Sequence, residues 1–197
     1  MFEKYLRRIF QYLLIDPIAK QLMKWPFISP LKLTIMGCLI GIASGIAIGF
    51  GWSLTGFFLL FLSGYFDTLD GTLARLQNKT SDFGSALDIV SDRIVEFSVI
   101  IGLYAFNSDV SALYSLLMLG SILICVTSFL VVGIFSENTG HKSFYYSPGL
   151  IERGEAFLFF GCMILLPSIF PPLAVIFSVL VFLTAAIRLY QFSRPRP

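Results

Sequence analysis

Four aspartates lie close together in a part of the sequence that is bounded on both sides by apolar residues: Asp67, Asp70, Asp88 and Asp92. On a helix the first two are spaced i, i+3 and the last two i, i+4, so each pair shares one helix face. The polar segment 76–84 between the pairs predicts a turn that would bring the two faces together. Carboxylates gathered in an apolar setting repel one another and lose hydration. The stretch therefore predicts two neighbouring helices that bind a divalent cation through oxygen ligands.

The apolar content of the chain excludes an ordinary soluble domain. Of 197 residues, 56% are hydrophobic and only 13% are charged, which leaves too little polar sequence to cover a water-facing surface. We predict an all-α membrane protein whose spans are each about 20 residues long. The six predicted transmembrane helices cover residues 31–52, 54–76, 84–106, 111–134, 152–168 and 171–191.

Basic residues mark one side of the membrane. Short links with few charges alternate with longer charged connections, and the 14 Lys and Arg residues fall on the charged connections or at the helix ends beside them. By the positive-inside rule, both termini and the aspartate cluster face the cytoplasm. We expect a multi-pass protein of a prokaryotic inner membrane, and no feature of the sequence predicts a nucleic-acid partner.

Residues 1–28 are predicted to form a separate segment before the six-helix domain of residues 29–197. Apolar and basic residues alternate in this segment with a rough helical period, as in an amphipathic helix that lies in the membrane interface and contacts lipid. Only a short apolar stretch separates Arg8 from Asp16 and Pro17, so no cleavable signal peptide is expected.

The first predicted span carries glycines at strict four-residue spacing: Gly37, Gly41, Gly45 and Gly49. Such a stripe lets another helix approach closely. The sequence leaves open whether the partner helix belongs to the same chain or to a second copy in a homodimer.

The aspartates belong to a longer pattern, D-x2-D-G-x2-A-R-x8-G-x3-D-x3-D, whose other specified residues are Gly71, Ala74, Arg75 and Gly84. This pattern resembles the signature of the CDP-alcohol phosphatidyltransferases at every specified position. The resemblance implies a metal-dependent enzyme of phospholipid biosynthesis that uses one or two Mg²⁺ or Mn²⁺ ions. Its reaction would transfer a phosphatidyl group from a CDP-alcohol, such as CDP-diacylglycerol, to the hydroxyl of a small polar acceptor, with release of CMP.

The resemblance also implies a nucleotide site, which we assign to Thr34, Asp67, Gly71, Ala74, Arg75 and Gly84. Gly71 and Ala74 have small side chains, so a flat ligand could lie against their helix. Arg75 either binds phosphate or extends to the membrane interface as a snorkelling residue. Thr34 lies in a PLKLT segment that resembles the Pro-Asn-x-x-Thr start of the first helix in the family, with Leu31 where Asn is usual.

The chemistry assigns roles to the four aspartates. Metal ions held by carboxylates neutralise charge as a phosphoanhydride breaks, and a carboxylate that is not fully committed to metal can accept the proton of the attacking hydroxyl. Our hypothesis is that Asp67, Asp70 and Asp88 bind the metal. Asp92 is the catalytic base and touches the metal as a fourth ligand.

Four basic residues are candidates for acceptor binding: Arg93, Lys142, Arg153 and Arg188. Clustered cations favour phosphate, which suggests a phosphorylated polyol such as glycerol 3-phosphate or inositol phosphate. Each of these residues is also explained by topology and snorkelling alone. Glu96 lies one helical turn beyond Asp92 and is either functional or the partner of a nearby cation.

Two other classes of membrane protein bind cations or diphosphates through carboxylates. One is the UbiA-like lipid-diphosphate transferases, which usually have two separate aspartate-rich motifs where this chain has one hairpin. The other is the class of cation-coupled transporters. Two observations argue against a transporter: the acidic residues lie at one membrane edge instead of the midplane, and no inverted repeat is evident in the sequence.

Overall fold

A computed structural model describes residues 11–25, 27–136 and 153–194. Within these ranges the regular structure is entirely helical, as predicted. The α-helices are α1 (Asp16–Leu22), α2 (Pro30–Gly49), α3 (Ser53–Leu76), α4 (Asp82–Phe106), α5 (Ser108–Phe135), α6 (Arg153–Leu165) and α7 (Phe170–Ser193). A π-helical turn, Gln11–Ile15, precedes α1, and a 3-10 turn, Pro167–Ile169, precedes α7.

Helices α2 to α7 correspond one to one to the six predicted spans, and their ends differ from the predictions by a few residues. Helix α2 ends at Gly49, short of the predicted residue 52, because Gly51 has a positive φ of 81°. The amides of Gly51 and Trp52 donate to the carbonyls of Ile48 and Ala47 over 2.8 and 2.9 Å. These bonds form a Schellman cap, in which a residue in the left-handed region closes a helix.

Among the residues that the structure describes, three segments are long and apolar enough to cross a membrane: α2, α5 and Pro167–Ser193. Helix α6 is apolar but shorter, and α3 and α4 carry the charged residues of the aspartate stretch. The composition and these helices are those of a membrane protein. The count of six spans stays a prediction.

The chain forms two compact units. The first, which we call the motif unit, contains residues 1–44 and 58–98. The second unit contains residues 45–57 and 99–197. All the signature residues belong to the motif unit.

Within the motif unit, α1 and the turn before it pack against α2 and α3 through one face. Ile15 and Ala19 are fully buried in a cluster with Leu33 of α2 and with Leu69 and Leu73 of α3. The other face exposes apolar and basic side chains together: Leu13, Ile18, Met23, Lys20 and Lys24. The amphipathic helix over residues 1–28 stays a prediction, and its residues 1–10 and Pro26 lie outside the described residues.

In the motif unit the glycine stripe of α2 serves packing within the chain. A β-carbon added at Gly37 would lie 3.2 Å from Cβ of Phe66, and one added at Gly41 would overlap both γ-carbons of Val95. The hydroxyl of Ser63 donates to the carbonyl of Gly37 over 2.7 Å.

The same stripe continues into the second unit. A β-carbon on Gly102 would collide with the carbonyl oxygen of Gly45, and one on Gly49 would lie 3.5 Å from Cβ of Ala105. The whole stripe is therefore occupied by helices of its own chain. Of the two alternatives that the sequence left open for this stripe, packing within the chain is observed, and the possible homodimer stays a prediction.

In the second unit, α5 and α7 pack against each other, and each helix has buried residues that recur at helical spacing. On α5 these are Ser111, Ser115, Met118, Ser121, Ser128 and Val132. On α7 they include Ala174, Phe177, Ser178, Val181, Ala185 and Arg188. Helix α6 packs against α7 through Phe160, whose ring centroid lies 5.5 Å from that of Phe177.

Candidate metal centre and active site

A short turn with a cap at each end joins α3 to α4. Asn78 has a φ of 52°, and the amides of Asn78 and Lys79 donate to the carbonyls of Arg75 and Ala74 over 3.2 and 2.9 Å. This is again a Schellman cap, and asparagine tolerates the left-handed region better than most residues do. Ser81 then caps α4, since its hydroxyl accepts the amide of Gly84 over 3.0 Å. The predicted turn is confirmed, although α4 starts at Asp82, before Gly84.

Three of the four aspartates converge where α3 and α4 meet. Carboxylate oxygens of Asp67, Asp70 and Asp88 all lie within 4.8 Å of one another. Asp70 is buried and the other two are half-buried. Oxygen ligands of a divalent cation sit about 2.0–2.6 Å from it, and so up to about 5 Å from each other. The cluster has the donor type and the spacing that Mg²⁺, Mn²⁺ or Ca²⁺ requires.

Asp92 is not part of this three-carboxylate cluster, so the predicted fourth ligand is not found with the other three. Asp88 and Asp92 are separated by one helical turn, which is about 6 Å along the axis of α4. When one of them meets the α3 aspartates, the other is displaced along the helix. Asp92 is half-buried, and its Oδ2 lies 4.0 Å from Nη2 of Arg93.

Thr34 supports the cluster directly. Its hydroxyl, on the first turns of α2, donates to Oδ2 of Asp70 over 2.5 Å. Both side chains are buried. A hydrogen bond to a ligating carboxylate fixes the orientation of that carboxylate. No local sequence rule predicts this contact, because Thr34 and Asp70 are 36 positions apart and on different helices.

Arg75 lies across the last turns of α3. Its Nη2 donates to the hydroxyl of Thr72 over 3.1 Å. A β-carbon placed on Gly71 would lie 3.6 Å from Nη1 of Arg75. The guanidinium therefore extends back over Gly71 at the exposed end of the helix. Gly71 and Ala74 are half-buried.

Gly84 lies in the first turn of α4, on the other side of the hairpin. A β-carbon there would lie 3.1 Å from Oγ of Ser81 and 3.9 Å from Cδ2 of Leu31. The residue that replaces the usual asparagine of the family is thus a neighbour of a signature glycine.

The basic residues predicted for acceptor binding have different environments. Arg93 forms an ion pair with Glu96 on its own helix, with Nη1 and Oε2 separated by 2.6 Å. Pairing of Glu96 with a nearby cation, one of the alternatives that the sequence left open, is thus observed. Lys142 lies outside the described residues, and Arg153 is described by its helical backbone alone.

Arg188 is buried in the second unit. Its Nη1 donates to the carbonyl of Cys125 and to the hydroxyl of Ser128, each over 2.9 Å. Its guanidinium carbon lies 5.4 Å from the ring centroid of Phe129, within the range of a cation–π contact. Within the described residues its Nε is buried without a hydrogen-bond partner.

Comparison with known proteins identifies the family. Residues 27–187 match the CDP-alcohol phosphatidyltransferase family. The chain belongs to this family. The chain is similar to the inner membrane protein YnjF of Escherichia coli, with 33% identity over 90% of each chain. It is also similar to the phosphatidylinositol phosphate synthase of Corynebacterium glutamicum, with 28% identity over 72% of this chain and 64% of the relative.

Solved structures of a phosphatidylinositol phosphate synthase share the fold. The phosphatidylinositol phosphate synthase PgsA1 of Mycobacterium tuberculosis, solved with CDP-DAG bound, superposes with a TM-score of 0.73 at 23% identity and covers 91% of this chain and 93% of its own. The same protein in complex with manganese and citrate gives a TM-score of 0.74 at 22% identity, covering 91% and 88% of the two chains.

Family membership decides between the classes that the sequence left open. A CDP-alcohol phosphatidyltransferase is a metal-dependent transferase that moves a substituted phosphate group from a CDP-alcohol to a polar acceptor in phospholipid biosynthesis. The UbiA-like transferases and the cation-coupled transporters are therefore set aside.

Proposed function

We propose that this protein transfers a phosphatidyl group from CDP-diacylglycerol to the hydroxyl of a phosphorylated polyol, releasing CMP. The observation that carries the proposal is the convergence of Asp67, Asp70 and Asp88, whose carboxylate oxygens lie within 4.8 Å of one another. The CDP-DAG complex of a protein with the same fold supports the choice of donor.

Asp67, Asp70 and Asp88 would hold Mg²⁺ or Mn²⁺, hard cations that prefer such oxygen ligands. When bound, the metal neutralises the negative charge of the pyrophosphate as its anhydride bond breaks. Thr34 orients Asp70 for this task through its hydrogen bond.

The other motif residues are proposed to bind the nucleotide half of the donor. Gly71, Ala74 and Gly84 present little side-chain bulk, so the cytidine can approach the helix backbones. Arg75, which is exposed beside Gly71, has guanidinium N–H groups suited to the pyrophosphate oxygens.

Asp92 is proposed to be the catalytic base. It lies on α4 one helical turn from Asp88 and is not one of the three clustered carboxylates, which supports a role separate from metal binding. In the step we propose, the acceptor oxygen forms a bond to the phosphorus of the phosphatidyl group and passes its proton to Asp92. The phosphoanhydride bond to CMP breaks, and CMP leaves with the bridging oxygen and the bonding electron pair.

The site is proposed to face the cytoplasm at the edge of a six-span bundle. The placement of Lys and Arg along the sequence supports this orientation. A lipid donor can then keep its acyl chains in the bilayer while its nucleotide reaches the aspartates from the water side.

The acceptor is proposed to be a phosphorylated polyol, either inositol phosphate or glycerol 3-phosphate. Two relatives named as phosphatidylinositol phosphate synthases support this choice, as do two archaetidylinositol phosphate synthases at 34–35% identity over shorter stretches. Arg93, Lys142, Arg153 and Arg188 remain the proposed contacts of the acceptor phosphate.

The test is release of CMP by the purified protein from CDP-diacylglycerol with Mg²⁺ or Mn²⁺. The acceptors to compare are glycerol 3-phosphate, inositol 3-phosphate, inositol, serine and glycerol. Release that depends on metal and on a phosphorylated acceptor supports the proposal. Stimulation by serine or by an unphosphorylated polyol alone would refute the proposed acceptor class, and no release with any of the five would refute the proposed reaction.

A further inference from the structure

Thr72 stands at a position that the family signature leaves unspecified, between Gly71 and Ala74. It is nevertheless buried, and its hydroxyl is the centre of a hydrogen-bond network on α3. This hydroxyl donates to the carbonyl of Thr68 over 3.0 Å. It accepts Nη2 of Arg75 over 3.1 Å and Nε2 of Gln11 over 3.0 Å. A hydroxyl has one donor and two lone pairs, so all of its capacity is used.

The network reaches beyond α3 to the beginning of the described chain. Gln11 lies in the π-helical turn before α1, 61 positions from Thr72. Its amide nitrogen also donates to Oδ1 of Asp16 over 2.7 Å. Both hydrogens of one amide group are therefore committed, one to Asp16 and the other to Thr72, which fixes the direction of the amide.

We infer that Thr72 is a positioning residue for Arg75 and that Gln11 fixes Thr72 in this role. A long arginine side chain at an exposed helix end has many rotamers, and holding it in one costs conformational entropy. The hydrogen bond to Thr72 directs the guanidinium back over Gly71, which leaves its remaining N–H groups available to an anionic ligand. The N-terminal segment thereby contributes to the nucleotide site without touching the ligand. This inference rests on the proposed function, in which Arg75 binds the pyrophosphate.

A structural explanation would assign the same hydrogen bonds to stability alone. The two explanations differ in what they predict for substrate dependence. A positioning residue acts only through Arg75, so its effect should vanish when Arg75 is removed. A stabilising residue should lower the thermal stability of the protein whether or not Arg75 is present.

The experiment is a double-mutant cycle on the full-length protein with CDP-diacylglycerol as the varied substrate. Thr72→Val keeps the shape of the side chain and removes the hydroxyl. We expect it to raise KM for CDP-diacylglycerol about tenfold, with kcat changed less than twofold. In an Arg75→Ala background the same substitution should change KM less than twofold. Thr72→Ser, which restores the hydroxyl, should return KM to within about twofold of the wild-type value.

Gln11→Met is a second test of the inference that leaves the side chains of α3 unchanged. It should raise KM for CDP-diacylglycerol about threefold, because Thr72 and Arg75 are then held less firmly. Thr55→Val is the matched control, because Thr55 is exposed at the other end of the same helix.

Additive effects of Thr72→Val and Arg75→Ala on KM, or a loss of kcat without a change in KM, would overturn the inference while leaving the proposed reaction intact. A wild-type protein that releases no CMP would overturn both.

Discussion

The hydroxyl of Thr34 donates a hydrogen bond to Oδ2 of Asp70 over 2.5 Å, which joins α2 to the carboxylate cluster. Asp70 is also the most deeply buried of the three clustered aspartates. Asp70, the clustered carboxylate with the least access to water, thus accepts a hydrogen bond from an uncharged donor on a neighbouring helix. That donor leaves the negative charge of the carboxylate available to a cation.

Replacing Thr34 with valine removes this donor and keeps the shape of the side chain. We expect Mn²⁺ affinity to fall about tenfold, at the lower end of what loss of an outer-shell contact to a metal ligand costs. Thr34→Ser should retain most of the affinity. The measurement is a Mn²⁺ titration of the purified protein followed by electron paramagnetic resonance. An unchanged dissociation constant in Thr34→Val would show that Asp70 needs no such support.

The position of Asp92 outside the cluster predicts that binding and turnover can be separated. Asp92→Asn should lower kcat by at least about 100-fold, as loss of a general base does, and leave Mn²⁺ affinity within about threefold. Asp67→Asn and Asp88→Asn should each weaken Mn²⁺ binding more than tenfold. Asp109→Asn, at an exposed site on the first turn of α5, is the matched control for the change of charge. If Asp92→Asn weakens Mn²⁺ binding as much as Asp88→Asn does, Asp92 is a ligand after all.

The contact between Gly41 and Val95 predicts that a side chain at Gly41 destabilises the protein. In Gly41→Ala the new methyl group would overlap the γ-carbons of Val95, and overpacking of this kind costs about 1–3 kcal/mol. Gly120→Ala is the control, because a β-carbon at Gly120 meets no atom within 4 Å. Thermal unfolding in detergent should show a lower Tm for Gly41→Ala alone. Adding Val95→Ala to Gly41→Ala should restore part of the lost Tm. A double variant no more stable than Gly41→Ala would show that the overlap with Val95 is not the cause of the loss.

Arg188 is buried, and we predict that replacing it impairs acceptor binding more than it impairs the stability of the protein. Its acceptors, the Cys125 carbonyl and the Ser128 hydroxyl, already bond to each other over 2.7 Å, so Arg188→Met leaves neither of them without a partner. We expect the free energy of unfolding to change by less than about 1 kcal/mol, because the lost hydrogen bonds are offset by relief of a buried charge.

The same Arg188→Met protein should show KM for the phosphorylated acceptor raised at least tenfold. Arg194→Met is the control on an exposed arginine, and it should leave KM unchanged. A fall in Tm with no change in acceptor dependence would mean that Arg188 only connects α7 to α5.

The sequence was informative where a rule is local. Aspartates at i, i+3 and i, i+4 with a polar turn between them identified the α3–α4 hairpin and the meeting of Asp67, Asp70 and Asp88. Four-residue glycine spacing identified a helix face that packs closely. Helix ends were predicted less well, because the caps at Gly51 and Asn78 depend on single residues adopting the left-handed region.

Contacts between residues of different helices could not be predicted from the sequence in the same way. A helical period tells which residues share a face, but not how far one helix is displaced along another. For this reason the separation of Asp92 from the cluster was missed, and so were the bonds of Thr34 to Asp70 and of Arg188 to α5. Each of them depends on the offset between two helices, which no residue spacing records.

The turn between α3 and α4, capped by Asn78 at one end and Ser81 at the other, affects the order in which the protein can be assembled. All three clustered carboxylates and Thr34 lie within residues 34–88. Closing so short a connection costs little chain entropy. Once Asp88 has left the ribosome, all three carboxylates and Thr34 are present, so the cluster can assemble during synthesis, before α5, α6 and α7 have entered the membrane.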